Sequence, residues 1–186
     1  MATEPADILV VDDELGIREG ARRVLAREGH RVSVADCGEA GWEQVQSGEF
    51  SLVLLDVMMA DISGIDLLRR IVQFDPNTVC IIITGYATVE MAVQAIKEGA
   101  YDFIAKPFDA NTLLLAVNQG LERRRLIIES CRLAELEAEN RELERRKREL
   151  EALDRAKATF TMTVTHELRA PVAAIQSYLR LILDGY

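Results

Sequence analysis

Short β-branched runs alternate with amphipathic stretches over roughly the first 110 residues of the chain. Runs such as 52–55 and 79–83 are apolar without interruption, which suits strands covered on both faces, and the stretches between them repeat apolar residues at helical spacing. The pattern predicts five strands, at 8–11, 31–35, 52–55, 79–83 and 103–105. It predicts helices over 15–27, 39–46, 64–74 and 88–97, and from Asn111 onward. Gly29, Gly48 and Gly99 stand where helices should stop. Strands and helices that alternate this way build an α/β fold around a parallel sheet, because parallel neighbours need a crossover between them.

Past Gly120 the texture changes. No glycine or proline intervenes until Pro171, and Glu, Arg, Leu and Ala dominate, which predicts one long helix. Leu136, Leu143 and Leu150 recur every seven residues. Taken as d positions they place Leu133, Asn140 and Lys147 at a, an apolar seam with two polar interruptions. A buried Asn at a favours a parallel two-stranded coiled coil, where its twin across the axis can satisfy it. In that pairing Arg132 meets Glu137 and Arg146 meets Glu151 attractively, while Glu139 meets Glu144 repulsively, so a homodimer of modest strength is expected. A single solvated helix docked on something else is the alternative. A helix from Asn111 to Asp184 would be roughly 110 Å long at ~1.5 Å per residue and could carry a rotation or register shift, with Gly120 as a candidate bend.

Charge sharpens the division. Of 22 basic and 31 acidic side chains in 186 residues, residues 1–120 hold 9 and 19, net −10, and residues 121–186 hold 13 and 12, net +1. The acidic first half repels nucleic acid, and the arginines at 123–125 and 145–148 are interspersed with Glu, so they read as a solvated helix face and no nucleic-acid partner is expected. No apolar run nears the ~20 residues of a bilayer crossing, so no membrane segment is expected. No basic flank leads into an apolar block at the N-terminus, and Cys37, Cys80 and Cys131 are odd in number and lack metal-ligand spacing. A cytoplasmic location is therefore expected.

Candidate chemistry gathers at one edge of the expected sheet. In open parallel sheets ligands bind outside the carboxyl ends of the strands. Asp12 and Asp13 follow the first strand, Asp56 the third, Thr84 the fourth and Lys106 the fifth. Three clustered carboxylates stay ionised only beside a compensating cation, and hard oxygen ligands suit magnesium. Lys106 adds a second positive charge and Thr84 a hydroxyl donor, a set able to stabilise a phosphoryl group in transit to a carboxylate. Singly, each of these residues could be solvated surface, and Asp12 with Asp13 could be a helix cap.

Four runs resemble, in order, the signatures of the receiver domain of two-component response regulators: Val10-Val11-Asp12-Asp13-Glu14, Leu54-Leu55-Asp56-Val57-Met58-Met59, Ile83-Thr84-Gly85-Tyr86-Ala87 and Ala105-Lys106-Pro107-Phe108. The resemblance implies a five-stranded, doubly wound, flavodoxin-like receiver that is phosphorylated on Asp56 from a phosphohistidine donor. It further implies that Asp13, Asp56 and the carbonyl of Met58 hold Mg2+, with Asp12 helping through water, and that Lys106 and Thr84 contact the phosphoryl group. Phe103 occupies the switch-aromatic position, Tyr101 reads as a plain core aromatic, and Lys106–Pro107 is a bond the family holds cis. Ala60 departs from the family, which often has proline there.

The distal helix carries His166-Glu167-Leu168-Arg169-Ala170-Pro171, beside a seam of Phe160, Val164, Leu168, Val172, Ile175, Leu179 and Ile182. A histidine next to a glutamate on a helix is commonly structural. This run, however, resembles the H-box of sensor histidine kinases. The resemblance implies that His166 is a phosphoryl acceptor and that Glu167 takes or returns its proton, as a carboxylate beside a neutral imidazole can. Pro171 should bend the helix just past it. Ala170 stands where many relatives have Thr or Asn to orient water, so weak phosphatase activity is expected. The chain has no phosphate-cradling glycine loop and stops at Tyr186, so autophosphorylation from ATP by this polypeptide is not expected. The expected organisation is a receiver at 1–120, a coiled-coil linker at 121–157 and a partial dimerisation and histidine-phosphotransfer helix at 158–186. Expected partners are a second copy and a histidine kinase, phosphotransfer or receiver protein. The alternative is a dimeric response regulator whose coil recruits a partner, with His166 inert.

Overall fold

A computed structural model describes residues 5–85 and 88–183, so Tyr86, Ala87 and the stretch past 183 lie outside the described residues. The side chain of Ile182, expected in the distal seam, lies outside them as well. Five strands, β1 (Asp7–Val11), β2 (Arg31–Ala35), β3 (Leu52–Asp56), β4 (Val79–Thr84) and β5 (Asp102–Ala105), form one sheet in the order β2-β1-β3-β4-β5. All four pairings are parallel. The helices are α1 (Leu15–Arg27), α2 (Gly38–Ser47), α3 (Gly64–Phe74), α4 (Val89–Lys97) and α5 (Ala110–Leu183). Observed and expected boundaries agree within a residue; Asp56 and Thr84 are the last residues of their strands rather than the first past them.

Alternation along the strands divides the core into two layers, as a strand's period of two requires. Leu9, Val11, Val53, Leu55, Cys80 and Ile82 face Val45 of α2, Leu67, Leu68 and Ile71 of α3 and Ala95 of α4. Ile8, Val10, Leu52, Leu54, Ile81 and Ile83 face Ala21 and Leu25 of α1 and Leu113, Ala116 and Val117 of α5. Helices therefore cover both faces, and the sheet is doubly wound. Gly29 (φ 93) and Gly99 (φ 104) end α1 and α4 in the left-handed conformation. Gly48, by contrast, caps α2 with extended backbone (φ −134).

Contacts divide the chain into Met1–Cys131 and Arg132–Tyr186. The first unit includes the opening turns of α5, where Leu121 is buried, Arg123 stacks 5.5 Å from the centre of the half-buried Tyr101 ring and Arg124 Nε donates to the Asn77 carbonyl at 3.0 Å. Arg124 is half-buried and tied to the receiver, which corrects its reading as a solvated face, while Arg123 is exposed as expected. Gly120 is no bend either: α5 runs through it, and a Cβ there would stand 3.0 Å from Val79 Cγ1. Its role is close approach of helix to sheet.

In the second unit α5 continues as helix across Pro171. Leu133, Leu136, Leu143, Leu150, Leu153, Phe160, Leu168, Val172, Ile175 and Leu179 are all exposed. The charged residues pair along the helix, Glu142 with Arg146 at 2.5 Å and Arg145 with Glu149 at 3.0 Å. Surface pairs at this spacing contribute only ~0.3–0.5 kcal/mol each, so they leave the apolar stripe in need of a cover.

Candidate functional site

Strand order reverses beside β1, and the site lies at the carboxyl edge there. Asp12 and Asp13 leave β1 at that edge and Asp56 ends β3. One carboxylate oxygen from each lies within 4.8 Å of the others. Asp12 and Asp56 are buried, 1% and 4% exposed, while Asp13 is exposed. Lys106, reaching back from the turn after β5, brings Nζ to 2.8 Å from Asp12 Oδ2, 2.9 Å from Asp56 Oδ2 and 2.9 Å from Glu14 Oε1. Its placement follows from register: Thr84 pairs with Ala105, and Lys106 N donates to the Thr84 carbonyl at 2.8 Å. Thr84 is fully buried at the same edge. The Lys106–Pro107 bond is cis.

Burial penalises both charge signs here, and the two partners answer differently. Burial lifts the Asp12 carboxyl above its ordinary range, against the opposing pull of Lys106 and the Glu14 amide. Burial also works against the Lys106 cation, but its contacts with Asp12, Asp56 and Glu14 outweigh that cost and raise its pKa. The lysine is thus held charged among the carboxylates.

Main-chain groups fix the acids. Asp12 Oδ1 accepts from Glu14 N at 2.9 Å and Asp56 Oδ1 from Met58 N at 3.2 Å. Arg18 Nη1 donates to the Asp12 carbonyl at 2.6 Å. Asp12 Oδ2 is different: it is buried, and among the described residues it meets the Lys106 ammonium at 2.8 Å and no other donor. A buried carboxylate oxygen in that condition, in a set of three acids, fits a hard divalent cation. Asp12, Asp13 and Asp56 are the residues that could hold one.

Phe103 lies two residues before the end of β5, opposite Ile82, half-buried against the α2–α4 side of the core. His166 and Glu167 are exposed on the distal part of α5, in the second unit. Sequence reasoning gave no role to Glu14 and did not single out Arg18. The available signal was position: both sit in the first turn around the start of α1, where a side chain can reach the loop it leaves.

The profile of the response regulator receiver domain matches residues 8–118. The chain belongs to this family. The receiver is 39% identical to the transcriptional regulatory protein ZraR of Klebsiella oxytoca over 68% of this chain and 28% of that protein. It is 34% identical to the C4-dicarboxylate transport transcriptional regulatory protein DctD of Rhizobium meliloti over 70% of this chain and 28% of that one. The match thus spans little more than a quarter of the length of these curated relatives. Among solved structures, a CheY-like receiver domain from Methanospirillum hungatei superposes with a TM-score of 0.63 at 30% identity, covering 66% of this chain and 98% of that one. NtrX from Brucella abortus superposes with a TM-score of 0.67 at 37% identity, covering 69% and 30%. Membership makes this a signalling domain of two-component systems, which implies a phosphotransfer partner. No helix among the described residues is long and apolar enough to cross a membrane.

Proposed function

We propose that the chain is the receiver-bearing regulatory part of a histidine kinase, in which phosphorylation of Asp56 controls a dimeric helical coil leading to His166. The receiver would occupy 1–120, the coil 121–157 and the phosphotransfer helix 158–186. The observation that carries the first step is the convergence of Asp12, Asp13 and Asp56 within 4.8 Å, with Lys106 Nζ 2.9 Å from Asp56. In this reading Asp13, Asp56 and the Met58 carbonyl hold Mg2+, with Asp12 assisting through water. Bound there, the ion would supply Lewis-acid neutralisation of phosphoryl charge.

The chain's own residues do the rest. A carboxylate oxygen of Asp56 forms the new O–P bond while the N–P bond of a phosphohistidine donor breaks, and the donor imidazole leaves with the bonding pair. Lys106 balances the charge of the transferred group, and the Thr84 hydroxyl donates to it. Engagement of Thr84 favours a new position of Phe103, and the change passes into α5. The exposed apolar stripe of the second unit supports a second copy as the cover, because a lone helix cannot bury it. On the distal helix His166 accepts phosphate and Glu167 handles its proton.

Acetyl phosphate with Mg2+ should place an acid-stable, base-labile label on the full chain and none on Asp56→Asn. Phosphate from a supplied kinase ATP-binding domain should label the full chain but not His166→Ala. Absence of the first label sinks the receiver reading; its presence with no label at His166 favours a second reading, a dimeric response regulator whose coil recruits a partner and whose His166 is inert. The names of ZraR and DctD as transcriptional regulators support that second reading.

A further inference from the structure

The segment after Asp56, residues 57–63, is tied to α2 in a way the chemistry at the acceptor does not itself require. α2 starts without a cap of its own, for the side chain of Cys37 makes no capping bond. The missing acceptor comes from across the loop. Asp61 Oδ1 accepts from Gly38 N at 3.0 Å and Oδ2 from Glu39 N at 2.8 Å. Burial, the largest single influence, pushes the Asp61 carboxyl up, but the amides of Glu39, Gly38, Ile62 and Asp61 together outweigh it and bring it down to about 2, so it stays ionised at neutral pH. Contact is close: a Cβ on Gly38 would stand 2.9 Å from Ile62 Cβ and 3.4 Å from Met59 Cε.

The other end of the segment is fixed at the strand. Gly64 N donates to the Val57 carbonyl at 3.1 Å, and a Cβ on Gly64 would fall 1.9 Å from the Asp56 carbonyl oxygen. Met58, Met59 and Ala60 therefore bridge two anchors, one on β3 and one on α2. Alanine at 60 leaves φ unrestricted by any ring, so the far anchor has more to do.

We propose that Asp61 is a positioning residue for the phosphorylation site: by clasping the start of α2 it sets the main-chain path at Met58, and with it the Met58 carbonyl beside Asp13 and Asp56. The inference rests on reading the site as a magnesium-dependent phosphoryl acceptor. Groups that support metal ligands from outside typically change metal affinity 10–100-fold when removed. The clasp acts through backbone, so the lower figure applies.

The test compares the full chain with Asp61→Ala, Asp61→Asn and Asp61→Ala/Cys37→Asp. Magnesium affinity is read from amide chemical shifts during MgCl2 titration, labelling rate from acetyl phosphate and stability from urea unfolding. Asp61→Ala should weaken Mg2+ about tenfold and slow labelling by a similar factor. Asp61→Asn, whose one amide oxygen can keep one of the two bonds, should fall between and guards against a misfolded alanine variant. Cys37 has the extended backbone of an N-cap (φ −154, ψ 166), so aspartate there should restore the stability of α2 without restoring the loop. Unchanged Mg2+ affinity in Asp61→Ala overturns the proposal. So does recovery of that affinity by Cys37→Asp, which would show that only the helix cap mattered. If the unaltered chain neither binds Mg2+ saturably nor takes label, the site reading itself falls, an outcome distinct from a normal parent with an indifferent variant.

Discussion

Lys106→Met tests the electrostatic account of the site most directly, because it removes a charge and keeps most of the volume. The lysine side chain is 10% exposed and meets Asp12 (1%), Asp56 (5%) and Glu14 (62%) at 2.8–2.9 Å. At an effective dielectric near 20, one such contact is a gross attraction of about 6 kcal/mol, and each desolvated ion loses several kcal/mol of hydration, so gain and cost nearly cancel while the pair is intact. Removing only the cation destroys that balance and leaves two buried carboxylates facing each other. Breaking a buried pair from one side costs about 3–5 kcal/mol, and Glu14, being exposed, adds little. We expect the lower end, about 3 kcal/mol, because Asp12 can escape by taking up a proton. With a urea slope of about 2 kcal/mol per molar, the midpoint in EDTA should fall by about 1.5 M. Trp42, the single tryptophan, sits in α2 and reports unfolding of the receiver. Magnesium should then stabilise the variant more than the parent, since a divalent ion replaces the missing charge, while labelling by acetyl phosphate should slow about 100-fold for want of the group that meets the phosphoryl oxygens. Equal midpoints in EDTA, with equal gains on adding Mg2+, would refute the reasoning.

Three further outcomes follow from other parts of the chain. His30 is buried, its Nδ1 accepts from Ala6 N at 3.3 Å and its Nε2 has no partner among the described residues; burial depresses its pKa, only partly offset by Glu28. Its contribution to stability is complete above the unfolded value near 6.5 and is lost as pH falls below it, at up to about 1.4 kcal/mol per pH unit, so His30→Asn should flatten urea midpoints between pH 6.5 and 5; parallel curves would count against this. With Cys131 replaced by Ser, Leu143→Cys should cross-link into dimers under mild oxidation far faster than Arg145→Cys, and equal rates would reject the parallel seam. Ala170→Thr should dephosphorylate a phosphorylated receiver faster than the parent chain, and identical rates would remove the explanation offered for that position.

The strands and helices of the receiver were legible because buried parallel strands impose uninterrupted apolar runs, and amphipathic helices impose a period near 3.6. Asp12, Asp13, Asp56, Thr84 and Lys106 were legible for a related reason: each follows or ends a strand, and a parallel sheet delivers all its carboxyl ends to one edge. Tertiary structure decided what a linear pattern cannot encode. Asp61 caps a helix that starts 23 positions earlier in the chain. Glu14 shares Lys106 across 92 positions. Gly120 and Arg124 serve packing at the far edge of the sheet rather than a hinge and a charged face. Periodicity reports which face of an element is buried. It is silent on which distant side chain completes a hydrogen bond there, because that choice is made only when two separately formed elements meet in space.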